Sequence, residues 1–225
     1  MSKRLYGGHK DRCLPDGILA SFGSNLDERS HLKLLKVVED IVQVTYENYE
    51  KNVHDSRNNS LMGFTNILGF YLKEGTYKHQ QIEANSFLLT DTVRSTLIGL
   101  LRVICHSEFP ILLEGPTSAG KTSIIKYIAE ISGNKVVRIN NHQHTDLDEY
   151  VGSYSPDETG KLVFKQGLLV EAMIKGYWLI LDEINLAKSE ILEALNRLLD
   201  DNRELYIPEI NKLIKPHPDF RIFAT

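Results

Sequence analysis

The distribution of apolar residues divides the chain into two parts. From about residue 90 onward, short apolar runs alternate with stretches in which apolar residues recur every three or four positions. The runs have the length of buried strands and lie at residues 111–114, 136–139, 177–181 and 220–224. The periodic stretches predict helices at residues 90–105, 122–131 and 189–200. This alternation indicates an α/β fold with a parallel sheet that is flanked by helices.

The first 85 residues carry weaker patterns. Residues 31–50 show a helical period with apolar residues on one side, and residues 51–60 are a polar stretch typical of a linker. The other residues of this part follow no clean period. We therefore predict a mostly helical or irregular N-terminal segment over residues 1–85 and an α/β core over residues 86–225.

Composition and charge narrow the class of protein. A hydrophobic content of 42% and a charged content of 25% are those of a globular protein. The net charge of −4 gives no reason to expect a general nucleic-acid binder. The apolar run at residues 97–105 is interrupted by Arg102 and is too short to cross a bilayer. Cys13 and Cys105 match no metal-binding spacing and suit a reducing compartment, so we expect a soluble intracellular protein.

Residues 115–122, Gly-Pro-Thr-Ser-Ala-Gly-Lys-Thr, fit the phosphate-loop pattern G-x-x-x-x-G-K-[ST] at every fixed position. A predicted strand precedes this loop and a predicted helix follows it, which aims backbone N–H groups at an anion. Lys121 would reach the β- and γ-phosphates, and the Thr122 hydroxyl would bind Mg²⁺. The predicted nucleotide-binding residues are Gly115, Pro116, Thr117, Ser118, Ala119, Gly120, Lys121, Thr122 and Ser123.

Two adjacent carboxylates follow the apolar run at residues 177–181. Asp182, at the carboxyl end of a buried strand, would lie beside the phosphate loop and hold Mg²⁺ directly or through water. Glu183 would orient or deprotonate the attacking water. We therefore predict Asp182 and Thr122 as metal ligands, and Glu183 and Lys121 as catalytic residues.

The nucleotide base is inferred from motifs that are missing. A GTPase of the Ras type would carry Asn-Lys-x-Asp, but the stretch that starts at Asn134-Lys135 has Val137 where the aspartate would stand. Residues 157–160, Asp-Glu-Thr-Gly, match the D-x-x-G pattern of GTPases, yet no strand ends there and a turn is the better interpretation. ATP is therefore favoured over GTP, although no residue is identified that reads adenine.

The second half of the chain resembles the ATPase modules of the midasin family, which are dynein-related AAA proteins. Five segments carry the resemblance: residues 114–123, 137–142, 145–154, 181–187 and 192–209. The resemblance implies a five-stranded AAA core and a hairpin formed by residues 205–208 and 212–214. It further implies that Asn140 or Asn141 restrains the catalytic glutamate. Residues 1–85 would join this module to a preceding one.

The resemblance also implies a biological setting. Midasins carry six such modules in one ring, act in the nucleus, and use ATP to release assembly factors from pre-60S ribosomal particles. The implied partners are therefore neighbouring AAA modules and these particles. No direct nucleic-acid site and no membrane contact are evident, since Lys161 and Lys165 alone do not make a basic patch.

The chain departs from the family pattern at its end. It stops at Thr225, before the sensor asparagine, the arginine-finger region and the helical lid that family members carry. We therefore expect this polypeptide alone to hydrolyse ATP slowly or not at all. Two alternatives stay open, namely a nucleotide-binding module that stiffens a ring without turnover, and a P-loop kinase that phosphorylates a small molecule. A metal site at His142 and His144 is disfavoured, because no third ligand stands nearby.

Overall fold

The computed structural model describes residue 18 and residues 26–42, 62–77 and 90–225. The described residues form two compact units. Residues 26–42, 62–74 and 90–108 belong to the first unit, and residues 75–77 and 109–225 belong to the second. The boundary predicted near residue 86 falls outside the described residues and stays a prediction, as do the features predicted for residues 1–17, 43–60 and 78–89.

The first unit contains two helices and a β-hairpin. Its elements are α1 (Glu28–Val42), β1 (Phe64–Ile67), β2 (Phe70–Lys73) and α2 (Asp91–His106). Helix α2 was predicted, and the Thr90 hydroxyl caps it by accepting a hydrogen bond from the Val93 N–H at 3.4 Å. Five residues of this helix are predicted to point inward. Four of them are buried, namely Leu97, Leu100, Leu101 and Ile104, and the fifth, Val93, is half-buried.

The sequence did not reveal the hairpin of β1 and β2. Phe70, Tyr71 and Leu72 are all buried, so consecutive residues point into apolar surroundings and the alternation typical of a half-exposed strand is absent. The turn has positive φ angles at Leu68 and Gly69, as a two-residue hairpin loop requires. The Asn66 side chain stabilises this turn by accepting a hydrogen bond from the Gly69 N–H at 2.9 Å.

The second unit is built on a parallel sheet of the four strands that the sequence predicted. They are β3 (Ile111–Leu112), β4 (Val136–Asn140), β7 (Trp178–Asp182) and β10 (Arg221–Ala224). Their order is β3-β10-β7-β4, and every neighbouring pair is parallel. The resemblance implied five strands, and residues 109–225 supply four of them. Parallel strands place their carboxyl ends at the same edge of the sheet, where the predicted nucleotide site lies.

Three longer helices accompany this sheet: α3 (Lys121–Ile131), α5 (Leu168–Lys175) and α6 (Ser189–Leu199). A shorter helix, α4 (Leu147–Tyr150), follows β4. Buried residues of α5 and α6 form one apolar cluster with Leu179 and Leu181 of β7 and with Ile222 of β10. The predicted apolar side of α3 is buried as well, at Ile124, Ile125 and Ile128. The prediction of a parallel sheet flanked by helices is confirmed.

Two antiparallel hairpins extend from this core. The first pairs β5 (Gly152–Pro156) with β6 (Leu162–Gln166), and the second pairs β8 (Leu205–Ile207) with β9 (Lys212–Ile214). Residues 157–160 form the turn of the first hairpin, as predicted, with the Asp157 carboxylate accepting the backbone N–H groups of Thr159 and Lys161. The Tyr154 hydroxyl donates to the Glu209 carbonyl at 3.1 Å and so links the two hairpins.

Residues 75–77, which belong to the second unit, bond to the chain just after the end of α3. The Gly75 N–H donates to the Ser132 carbonyl at 2.8 Å, and the Tyr77 N–H donates to the Gly133 carbonyl at 3.0 Å. A Cβ at Gly75 would lie 2.1 Å from the Gly133 oxygen, so this approach requires glycine. In the part of the chain that the structure describes, no helix combines the length and the apolar character needed to cross a membrane.

Candidate nucleotide site

The phosphate loop and the acidic pair meet at the carboxyl edge of the sheet. The Thr122 hydroxyl donates a hydrogen bond to Asp182 Oδ1 at 3.0 Å, across 60 positions of sequence. The strand register places Asp182 at this edge. Asp182 pairs with Asn140 at the end of β4, and it lies one position beyond Leu181, the last residue of β7 that pairs with β10. The two residues predicted as metal ligands are therefore neighbours in the structure.

The loop itself has the backbone geometry of an anion cradle. Helix α3 begins at Lys121, directly after Gly120, which has a φ of 80° and provides no side-chain cap. The first N–H groups of α3 therefore face outward without a side-chain partner, and a helix N-terminus of this kind attracts a phosphate. A Cβ at Gly120 would meet nothing within 4 Å, so the space beside the loop is open.

Lys121 is held by the loop it follows. Its ammonium group donates to the Gly115 carbonyl at 2.8 Å and to the Pro116 carbonyl at 2.9 Å. These bonds bend the side chain back over the loop, where it can exchange carbonyl oxygens for phosphate oxygens. The other loop positions, 116–119, are exposed, which leaves their backbone accessible to a ligand.

Asp182 is buried and fully engaged. Only 5% of the residue is exposed, and its carboxylate accepts hydrogen bonds from the Thr225 and Thr122 hydroxyls and forms an ion pair with Arg138. Burial opposes ionisation of this carboxyl group, but the two hydroxyl donors and the nearby guanidinium outweigh it and lower its pKa. Asp182 is therefore ionised, and an ionised carboxylate beside a hydroxyl is an oxygen donor set that Mg²⁺ prefers.

Glu183 follows in an unusual backbone conformation. Its φ of 52° and ψ of 48° lie in the left-handed region, which is uncommon for a residue with a side chain. Such strained residues concentrate at functional sites. The left-handed turn ends β7 and begins a short 3₁₀ helix, Ile184–Leu186, so the half-buried Glu183 leaves the strand directly after Asp182, one of the predicted metal ligands.

A buried polar chain fixes the backbone between Asp182 and Glu183. The Asn141 N–H and side-chain amide both donate to the Asp182 carbonyl, at 3.0 Å and 2.8 Å. The hydroxyl of Tyr150 donates in turn to Asn141 Oδ1 at 2.6 Å. Of the two asparagines considered for restraining the glutamate, Asn141 is the buried one, whereas Asn140 is exposed. A nucleotide-binding role for Asn140 stays a prediction.

Three residues of the site were not singled out from the sequence: Arg138, Tyr150 and Thr225. Arg138 carried one signal, because it is a charged residue inside an apolar strand. Tyr150 and Thr225 carried none, since tyrosines and threonines are common in helices and at strand ends. Only the folded chain brings them to the acidic pair.

The two histidines after β4 lie in a local turn. His142 Nδ1 accepts the backbone N–H of His144 at 3.1 Å, so the pair is explained by a local turn. Among the described residues, no group of three or more His, Cys, Asp or Glu side chains is arranged to hold a metal ion.

Comparison with known proteins places this site in a family. Residues 110–225 match the family model of the AAA domain, dynein-related subfamily. The chain belongs to this family. The AAA domain so defined begins just before β3 and contains the phosphate loop, the acidic pair and both hairpins. It is an ATP-binding module with the fold of AAA ATPases.

Individual relatives agree with this assignment. The AAA domain and the residues before it are similar to the midasin of Dictyostelium discoideum, with 53% identity over 162 residues that cover 72% of this chain and 3% of that protein. The midasin of Giardia intestinalis is 57% identical over 143 residues, which cover 63% of this chain and 3% of that protein. An uncharacterized protein of Staphylococcus aureus strain USA300 is 33% identical over 135 residues, or 58% of this chain and 51% of that protein. The chain therefore spans a small part of the length of the midasins that it resembles, and it contains one AAA module.

Proposed function

We propose that this AAA domain binds ATP together with Mg²⁺ and hydrolyses the terminal phosphate. The observation that carries the proposal is the hydrogen bond between Thr122 and Asp182, which joins the phosphate loop to the acidic strand. Lys121 and the first N–H groups of α3 would bind the β- and γ-phosphates. Thr122 and Asp182 would hold the metal ion, which when bound supplies charge neutralisation to the phosphate oxygens.

Glu183 would act on the attacking water. It is the carboxylate next to the metal ligand Asp182, and Asn141 holds the peptide group that connects the two. The carboxylate of Asp182 already has three side-chain partners, the hydroxyls of Thr122 and Thr225 and the guanidinium of Arg138. Glu183 is the half-buried residue that follows it. This division of work, with one carboxylate for the metal and one for the water, is the chemical reason for two adjacent acidic residues.

The biological role follows from similarity to midasins. We propose that the module works beside other AAA modules in a ring, in the nucleus, and that ATP hydrolysis drives the release of assembly factors from pre-60S ribosomal particles. The identity of 53–57% to two midasins supports this role. Because the chain spans 3% of those proteins, the wider activity is a proposal about the protein to which this module contributes.

Calorimetry with Mg·ATP tests binding. The Lys121→Ala variant should bind about ten to a hundred times more weakly, since it loses hydrogen bonds from a charged group to the phosphates. Lys126→Ala is the matched control, because Lys126 is exposed on the same helix and lies more than one helical turn beyond Lys121. No heat from the wild-type chain, or equal affinities for Lys121→Ala and wild type, would refute nucleotide binding at this loop.

Single-turnover hydrolysis of labelled ATP tests the role of Glu183. Glu183→Gln should keep the affinity for Mg·ATP and lower the rate by at least about a hundredfold, as expected for loss of a general base. Glu190→Gln, at an exposed position at the start of α6, should hydrolyse like the wild type. The same comparison is made in the full-length protein to which this module contributes, because the chain alone is expected to turn over slowly or not at all. A full-length protein that binds Mg·ATP at this module without any turnover there would instead favour a structural ring module, and transfer of label to a metabolite would favour a kinase.

The link to ribosome assembly has a separate test in cells. Cells whose only copy of the gene carries Glu183→Gln should accumulate pre-60S particles that retain assembly factors. Normal particle profiles in such cells would contradict the proposed biological role without affecting the conclusions on ATP binding.

A further inference from the structure

Arg138 is a charged residue at an unexpected place in the sheet. It is the central residue of β4, between Val137 and Ile139, and it pairs in register with Ile180 of β7. Its side chain is 45% exposed, yet it ends on the carboxylate of Asp182, whose side chain is only 8% exposed. The long arginine stem therefore runs from an open part of the sheet to the buried metal ligand.

The two carboxylate oxygens of Asp182 have different partners. Oδ1 accepts the hydroxyls of Thr122 and Thr225, and Oδ2 receives the guanidinium of Arg138. The oxygen that faces the Thr122 hydroxyl, and hence the proposed metal position, is thus Oδ1. The arginine acts on the other oxygen.

We propose that Arg138 is a positioning residue for the metal site, which holds Asp182 with Oδ1 turned toward Thr122. This inference rests on the proposed function, because it concerns how the same site receives Mg²⁺. A carboxylate bound by hydroxyls alone could rotate about its last side-chain bond. The planar, permanently charged guanidinium fixes its orientation through Oδ2, which leaves Oδ1 with the hydroxyl of Thr122.

The same contact has an electrostatic effect before nucleotide arrives. A buried carboxylate without a counter-charge is costly, and removal of a partner would leave Asp182 with hydroxyl donors only. Arg138 therefore supplies a counter-charge while Oδ1 stays directed toward the metal position. A competing arrangement, in which the guanidinium occupied the metal-facing oxygen, would instead make Arg138 a rival of Mg²⁺. The separation of partners between Oδ1 and Oδ2 favours positioning over rivalry.

The test measures the Mg²⁺ concentration that is needed for nucleotide binding. A fluorescent ATP analogue is bound to the chain in EDTA and then across a Mg²⁺ titration, for wild type and for Arg138→Met, which keeps most of the stem but no charge. We expect Arg138→Met to raise the half-saturating Mg²⁺ concentration by at least about tenfold, as is typical for loss of a group that supports a metal ligand. Affinity in EDTA should stay at the wild-type value, because the phosphate loop is untouched.

Two further variants complete the design. Arg138→Lys keeps the charge but lacks the planar fork, so its Mg²⁺ requirement should lie between those of wild type and Arg138→Met, and it carries the test if Arg138→Met does not fold. Arg197→Met removes an exposed arginine of α6, which pairs with Glu204, and this variant should behave like the wild type.

The outcomes separate this inference from the function on which it rests. An unchanged Mg²⁺ requirement in the Arg138 variants would overturn the positioning role, and a lowered requirement would show that Arg138 competes with the metal. Equal losses of affinity in EDTA and in Mg²⁺ would also overturn it, since they would indicate general damage to the site. If the wild-type chain bound no nucleotide under either condition, the proposed function itself would fail.

Discussion

The two strands that carry the candidate site differ in almost every respect. Strand β7 leads to the acidic pair, has five buried residues, and lies between β10 and β4. Strand β3 leads to the phosphate loop, has two residues, and among the described strands pairs with β10 alone. Leu179 of β7 is fully buried, whereas Leu112 of β3 is 57% exposed. In the described part of the chain, the acidic pair therefore follows a strand that is embedded in the core, whereas the phosphate loop follows a strand with a neighbour on one side.

This difference matches what each half must do. The acidic half needs carboxylates fixed to a fraction of an ångström before ligand arrives, and a central strand with neighbours on both sides provides that. The phosphate half would bind through backbone N–H groups, which local loop geometry directs without much help from the core. Substitutions in the two halves should consequently affect stability and binding in different proportions.

The largest expected effect comes from the same substitution on both strands. Leu179→Ala should lower the free energy of unfolding by about 2–5 kcal/mol, because it leaves a cavity in a packed core. Leu112→Ala should change it by no more than about 0.5 kcal/mol, because the side chain is already exposed. Urea denaturation followed by circular dichroism measures both. Similar losses for the two variants would contradict the contrast between the strands.

The next effect separates two adjacent asparagines. Asn141→Ala leaves the Tyr150 hydroxyl without its acceptor and removes a donor from the Asp182 carbonyl, so we expect a loss of about 1–3 kcal/mol of stability. Asn140→Ala should alter stability by no more than about 0.5 kcal/mol, because Asn140 is exposed. Denaturant midpoints of the two variants test this expectation. A larger loss of stability in Asn140→Ala than in Asn141→Ala would show that the hydrogen bonds from Tyr150 through Asn141 to Asp182 do not fix the end of β7.

The hydrolysis rates of the same two variants sharpen the comparison. If Asn141 positions Glu183 through the Asp182 carbonyl, Asn141→Ala should slow single-turnover hydrolysis more than Asn140→Ala at equal Mg·ATP saturation. Rescue of the rate by Asn141→Gln would be incompatible with this role, because the longer side chain cannot place both of its groups on the same partners.

The smallest effect concerns an exposed residue near the start of α6. Lys188 has a φ of −63°, and Ala187 before it is extended with a ψ of 140°. Both conformations suit proline, so Lys188→Pro should fold normally. The substitution removes the ion pair with Asp146, which salt screens, so its melting temperature should improve relative to wild type as ionic strength rises. A large fall in melting temperature at all salt concentrations would contradict this.

Much of the second unit could be predicted from sequence, and the reasons are local. Each strand of its sheet is a short apolar run, and its helices α3 and α6 have clear helical periods. The hairpin of β1 and β2 could not be predicted, because its second strand is buried on consecutive positions and so has no alternation. The placement of α2 with the first unit was equally hidden, since nothing in its period says which neighbours its apolar side will meet.

By itself, the sequence determined the chemistry that this protein carries. The spacing of glycines, lysine and threonine in residues 115–122 and the adjacency of Asp182 and Glu183 are covalent facts, and they predict a triphosphate site before any folding. Only the tertiary structure decided which distant residues complete that site. The residues that contact Asp182 are Arg138, Asn141 and Thr225, and Tyr150 contacts Asn141 in turn. They meet because parallel strands end at one edge of the sheet, and strand order is not written in any local pattern.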